Sequence, residues 1–127
     1  MTKLVWDNAA LMSKDTADKL GVTSEDMVKV SFKGHDLQLP VCLLPGHAKG
    51  SISIAVGYGR TSSGRIGTGV GANAYQLRTS DALDFGTGAT VAKISDKAKL
   101  ALTHDHWSME GRPLVREATL ADFIKEP

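Results

Sequence analysis

The sequence predicts a mainly β domain with short helices, its strands closed or partly closed into a small barrel. Three observations carry this. Short runs rich in β-branched and aliphatic residues recur at 27–32, 37–44, 51–56 and 90–95. Glycine, proline and acidic turn chemistry separates most of them. Helix signals are confined to two short stretches, 13–21 and 119–124. Several short strands with one or two short helices indicate a small barrel with helical decorations.

In chain order, residues 3–6 make a short strand, punctuated by Asp7 and Asn8. Residues 13–21 read as a helix marked at both ends. The Ser13 hydroxyl suits the N-cap and Gly21 the left-handed position that closes a helix. Ala17 and Leu20, with Leu11 or Met12 before them, supply its buried stripe. A polar connection over 22–26 leads into strand 27–32, which alternates imperfectly but is rich in β-formers. Residues 33–36 form a hairpin turn with Gly34 at positive φ. The return strand, 37–44, alternates over Leu37, Leu39, Val41 and Leu43. Pro40 lies inside it and lacks a ladder donor, so an edge or a bulge is expected there. Pro45 and Gly46 turn the chain into strand 51–56, alternating over Ile52, Ile54 and Val56.

Residues 57–78, GYGRTSSGRIGTGVGANAYQLR, hold six of the thirteen glycines and three arginines. Loops beyond roughly 12–15 residues without secondary structure are usually functional or disordered. Strand-like flanks favour an ordered loop that lets backbone amides and arginines approach an anionic or polar partner. Residues 82–88 carry no clear signal. Residues 90–95 make a strand, Asp96 and Lys97 a turn, and 100–103 the last strand. From His104 the composition changes, and Thr119 caps a helical turn through Ile124. The barrel thus occupies 1–103 and a C-terminal extension 104–127.

At 127 residues and 13.5 kDa the chain is one domain, large enough for one core. A net charge of +1 argues against a nucleic-acid binder. No apolar run approaches the roughly 18 residues needed for a bilayer span, and the N-terminus lacks the pattern of an export signal. The single cysteine, Cys42, lies in the apolar run PVCLLP and reads as a buried, inert thiol that does not fix the compartment.

The chemical motifs are weak individually. Gly67, Gly69 and Gly71 lack the Gly-Lys-Ser/Thr of a P-loop and the strand, helix and acidic residue of a dinucleotide fingerprint. Successive glycines still form amide-lined concavities for anions, and Arg60, Arg65 and Arg78 suit phosphate. Equally, the glycines can make tight turns over a barrel end with the arginines solvated. His104 and His106 share a strand face beside Asp105 and Trp107, but no third ligand is evident, and a solvated segment is the expectation. No nucleophile and base have a diagnostic context, so catalytic residues and metal ligands are read as none.

The order of elements resembles a known family. Leu11-Met12-Ser13-x-x-Thr16-Ala17-x-x-Leu20-Gly21-Val22-x-x-x-Asp26-x-Val28-x-Val30 is similar to the start of the molybdopterin dinucleotide-binding domain, the C-terminal domain of molybdenum and tungsten oxidoreductases. A hairpin, the Pro45-Gly46 turn, a strand ending at Gly57 and the later Asn73-Ala74-Tyr75-Gln76-Leu77 follow in that family's order, so the resemblance covers most of 5–95. More narrowly, GYGRTSSGRIGTGVGANAYQLRT and HDHWSMEGRPLVREATLADF resemble the molybdopterin-oxidoreductase-like region of the iron–sulfur subunit of bacterial alternative complex III.

The resemblance implies a double-psi β-barrel, with 104–127 leading towards a further domain of a longer chain that carries iron–sulfur clusters. It implies binding of molybdopterin guanine dinucleotide, with redox chemistry done by other domains. Asn73 is the position-matched contact, and Tyr75, Arg78, His47 and Arg60 are the accompanying candidates. Glu25 stands where the family commonly has glycine before the aspartate, here Asp26. The alternative the narrower resemblance implies is a structural domain, cofactor lost, in a membrane-bound quinol-oxidising complex on the outer, periplasmic face. Partners are then other domains of the same chain and complex subunits, with no nucleic acid and no direct membrane insertion.

Overall fold

The hairpin at the centre of the fold shows how the sequence sets the architecture. In the computed structural model, which describes residues 3–103, 111, 115 and 117–126, strand β3 (Asp26–Phe32) alternates strictly between buried and half-buried side chains. It pairs antiparallel with β4 (His35–Leu43) from Met27↔Pro40 to Phe32↔His35. Lys33 and Gly34 both take positive φ, 47° and 83°, in the two-residue turn that matches the twist of such hairpins. Val28, Val30, Leu37, Leu39 and Val41 point to one face and form most of the core with Ala10, Met12, Ala17, Val22 and Ala74.

The other described elements attach to this hairpin. They are β1 (Leu4–Val5), β2 (Ala10–Met12), α1 (Lys14–Leu20), β5 (Ile52–Ile54), α2 (Gly64–Gly67), a 3-10 helix (Ala74–Leu77), β6 (Thr90–Lys97), β7 (Ala101–Leu102) and α3 (Leu120–Lys125). The main sheet has the order β5-β2-β4-β3-β6, and β1 pairs separately with β7. Within the sheet, β2 runs parallel to β4 and every other pair is antiparallel. Of the described residues, no helix is long and apolar enough to cross a membrane.

The chain is mainly β with short helices, as expected, and no closed barrel is found among the described residues. Among the described residues β5 and β6 are the two open edges of the ladder. A groove beside β5 is lined by Ile52 and Ile54 together with Val30, Phe32, Ala74, Leu77 and Leu83.

Pro40 lies in the interior of the central strand rather than at an edge or bulge. Its position explains why this is tolerated: pairing with β3 ends at Pro40, and pairing with β2 begins at Val41. The missing N–H falls where the strand exchanges partners. Asp96 and Lys97, expected as a turn, extend β6. Lys97 pairs with Asp26 beside a register shift between Asp26 and Val28. The buried Asp26 carboxylate accepts from Lys93 Nζ at 2.8 Å, with Lys97 Nζ 3.6 Å from its other oxygen. Strand β2 is a further element, formed by the apolar residues expected only to support the helix.

Helix α1 is capped as expected. Ser13 Oγ accepts from the Thr16 amide, and Gly21 closes the helix at φ 66°. Its inward positions are Thr16 and Ala17, whereas Leu20 is exposed. Thr16 takes the inward place because its hydroxyl bonds Ser13 Oγ at 2.8 Å and accepts from the Gly50 amide at 2.9 Å. Cys42 is buried, and burial pushes its thiol pKa up.

Candidate functional site

Residues 57–73 fold back on themselves. The neck is closed by Gly59 N–H donating to Val70 O and Gly69 N–H donating to Arg60 O, both at 2.8 Å. Helix α2 forms the tip, where Thr68 Oγ1 donates to Gly64 O at 2.7 Å and accepts from the Ser63 amide. The expectation of an ordered loop is met by these bonds.

Two glycines are fixed by close approach. A Cβ on Gly59 would stand 2.4 Å from Asn73 N, and one on Gly71 would stand 2.8 Å from both Asn8 Oδ1 and Tyr58 Cβ. Both also take positive φ, 69° and 74°.

Asn8 holds this loop to the sheet. It is 1% exposed. Its Nδ2 donates to Ala55 O at 2.8 Å and to Ala72 O at 2.9 Å, while its Oδ1 accepts from Ala72 N–H at 2.8 Å. One side chain thus ties the end of β5 to the return of the loop and satisfies three backbone polar groups. Read as punctuation, Asn8 gave no local sign of this role, because all three bonds span more than forty residues.

The folded loop creates a cleft of about 350 Å³ lined by Gly57, Tyr58, Gly59, Arg60, Thr61, Ser62, Asn73 and Tyr75. Three of the five candidate residues therefore meet: Arg60, Asn73 and Tyr75. Tyr58 joins them as a second aromatic wall. The polar ends of the candidates are largely turned onto the chain itself. Asn73 Oδ1 caps the 3-10 helix by accepting from Tyr75 N–H at 3.2 Å. Arg60 Nε donates to Gly57 O at 3.2 Å.

Arg78 and His47 lie outside this cleft. The Arg78 guanidinium sits 5.5 Å from the Tyr75 ring centroid, donates from Nε to Leu83 O at 2.6 Å and pairs with Asp84 at 3.4 Å. It lines instead an apolar groove of about 260 Å³, with Phe32, Leu77, Leu83 and Phe85 among its walls. His47 is held in its turn by Ser53 Oγ at 3.0 Å and Ala48 O at 3.2 Å from its two ring nitrogens.

The outer side of the loop is apolar and basic. Trp6, Tyr58, Ile66 and Val70 line a third cleft of about 280 Å³ with Arg60 at its rim. Trp6 is 63% exposed at φ 69°, a strained conformation for a bulky residue, and Ile66 is 70% exposed. No acidic residue occurs between Gly57 and Ser80 in the sequence. Among the described residues neither Arg60 nor Arg65 has a carboxylate partner.

His104, Asp105 and His106 lie outside the described residues. Among those described, no cluster of three or more His, Cys, Asp or Glu is placed to hold a metal. Compared with protein-family models and with curated proteins, the chain matches none.

Proposed function

We propose that this chain is a domain of the molybdopterin dinucleotide-binding type that serves as a structural contact module in a larger oxidoreductase assembly, of the kind found in the iron–sulfur subunit of alternative complex III. The observation that carries this reading is where the polar groups point. Asn73 Oδ1, the Arg78 guanidinium and both His47 ring nitrogens are bonded to their own chain, while Trp6 and Ile66 are exposed at the loop and, among the described residues, Arg60 and Arg65 have no carboxylate partner. The loop is built to present a surface.

Kinship with the dinucleotide-binding domain draws support from Glu25. The family commonly has glycine there, and Glu25 takes φ 71°, the left-handed conformation glycine favours. Its side chain offsets that strain by accepting from the Leu100 amide at 3.1 Å. The parallel β2–β4 pair, joined by a crossover through α1 and β3, is of the type a double-psi barrel requires, with the edges β5 and β6 left apart in this chain.

A second reading, that the domain binds molybdopterin guanine dinucleotide for other domains to use, is favoured by the cleft that brings Arg60, Asn73 and Tyr75 together with Tyr58. The residues present fit that group in part. Two aromatic walls and one arginine suit a planar, anionic ligand, but Arg78 and His47 are committed elsewhere. Substitution in the longer protein separates the two readings. Ile66→Asp breaks up the intact complex on native gels under the first reading. Under the second, Asn73→Ala and Arg60→Ala lower bound pterin while the complex stays whole.

A further inference from the structure

A nucleophile and a base meet in the fold although the sequence gave neither a diagnostic context. His47, in the turn after β4, and Ser53, in the middle of β5, are joined by a bond of 3.0 Å between Nε2 and Oγ. The other ring nitrogen sets its direction. Nδ1 lies 3.2 Å from Ala48 O, which can only accept, so Nδ1 carries the proton of the neutral ring. Nε2 is then a bare acceptor, and the Ser53 hydroxyl donates to it. A hydroxyl bonded to a base that a third group orients is the arrangement that activates a serine. The segment is anchored on both sides. The His47 amide donates to Leu44 O at 3.1 Å, Ser51 Oγ donates to Ala48 O at 2.8 Å, the Gly50 amide donates to Thr16 Oγ1 at 2.9 Å, and Lys49 pairs with Asp15 of α1. Ser53 itself is exposed, on a strand that is an edge of the sheet among the described residues. It stands opposite Leu11 in the ladder, so an apolar side chain shares its face.

We propose that Ser53 and His47 form a nucleophile–base pair that takes acyl groups from small esters and passes them to water. Ser53 Oγ attacks the carbonyl carbon of the ester as its proton moves to His47 Nε2. The tetrahedral adduct collapses, the bond between the acyl carbon and the alkoxy oxygen breaks, and Nε2 returns the proton to the leaving alcohol. A water molecule, giving its proton to Nε2, then attacks the acyl-serine, releases the acid and restores the hydroxyl. Nδ1–H stays on Ala48 O throughout and keeps the ring in register with Ser53. A carbonyl brings no full charge to set against the imidazolium, and neither residue lines any of the three clefts described above. Both facts restrict the substrates to short acyl groups on good leaving groups. The activity is independent of the contact-module assignment.

The test is labelling of the full 127-residue chain with a fluorophosphonate probe, followed by hydrolysis of p-nitrophenyl acetate. In the labelling step Ser53 Oγ bonds to phosphorus, the phosphorus–fluorine bond breaks, and fluoride leaves. One adduct per folded chain is expected, mapped to Ser53 by tandem mass spectrometry and absent from the same chain unfolded in urea. Ser53→Ala removes the adduct and the release of p-nitrophenolate above buffer. His47→Gln slows both by on the order of 100-fold, within the range of a general base, with unchanged far-ultraviolet circular dichroism. A folded chain that takes no label, a label on other serines or on lysines, equal labelling of the unfolded chain, or an undiminished rate in His47→Gln overturns the proposal. The comparison of folded with unfolded wild type decides it even where a variant fails to fold.

Discussion

Asn8 and Ala72 are bonded twice, amide nitrogen to carbonyl at 2.9 Å and backbone N–H to amide oxygen at 2.8 Å, across 64 residues of chain. The pairing imitates a rung of β-ladder with one side supplied by a side chain. It sets the height at which the glycine-rich loop returns to the sheet, and so the position of Asn73 and Tyr75.

Removing that rung is costly. Asn8→Ala leaves Ala55 O, Ala72 O and Ala72 N–H without their partner, and an unsatisfied buried polar group costs roughly 1–3 kcal/mol. A loss of about 3 kcal/mol is expected, read as a lower urea midpoint at unchanged slope. A midpoint equal to wild type would show that the loop holds its place without Asn8.

The loop glycines divide into two groups. Gly59→Ala places a Cβ 2.4 Å from Asn73 N, against rigid backbone, and should cost at least about 2 kcal/mol. Gly69→Ala has the same sign of φ, at 75°, but meets open space, so a cost of about 1 kcal/mol is expected. Thermal unfolding of the pair checks the order; equal losses would mean that φ alone matters.

Glu25 offers a sharper comparison. Glu25→Gly relieves the left-handed strain but gives up the bond to the Leu100 amide, and the two effects should nearly cancel. Glu25→Ala gives up the bond and keeps the strain, for a loss of about 1–2 kcal/mol. Chemical denaturation of both variants decides, and a glycine variant no better than the alanine one refutes the compensation.

Asp26 sets the acid limb of stability. The Lys93 ammonium, first, and then the Thr23 amide hold its carboxyl well below the ordinary value of 3.8. A depressed native pKa means that the unfolded state takes up the proton first. Stability from Asp26 is therefore complete above about pH 4–5 and is lost as the pH falls through and below 3.8. Melting temperatures between pH 6 and pH 2 should fall more steeply for wild type than for Asp26→Asn, which is already weaker at pH 6. Parallel profiles would remove Asp26 from the account.

Local patterns were legible where the cause was local. Ser13 and Gly21 mark the ends of α1, and the alternation of Leu37, Leu39 and Val41 marks the buried face of β4. The features that escaped depend on contacts distant in sequence. Pro40 reads as an edge residue until the exchange of partners at Val41 is known, and Asp96 and Lys97 read as a turn until Asp26 is seen across from them. Leu20 loses its expected inward place to Thr16, whose hydroxyl is needed by the Gly50 amide. In the site, the family resemblance offered Asn73 by position with Tyr75, Arg78, His47 and Arg60 as accompanying candidates, and of these Asn73, Tyr75 and Arg60 line one cleft. Nothing in the sequence told that Arg78 would turn to Leu83 O and Asp84, because residues 82–88 carry no regular pattern.

The central claim is that this domain is a contact module whose former pocket residues serve the chain itself. Molybdenum and tungsten by mass spectrometry, with oxidised-pterin fluorescence on the same purified longer protein, tests it most directly. The account predicts neither metal nor pterin in a sample with intact iron–sulfur clusters. Stoichiometric metal and pterin, falling with Asn73→Ala and Arg60→Ala, would contradict it and establish the cleft as a working cofactor site.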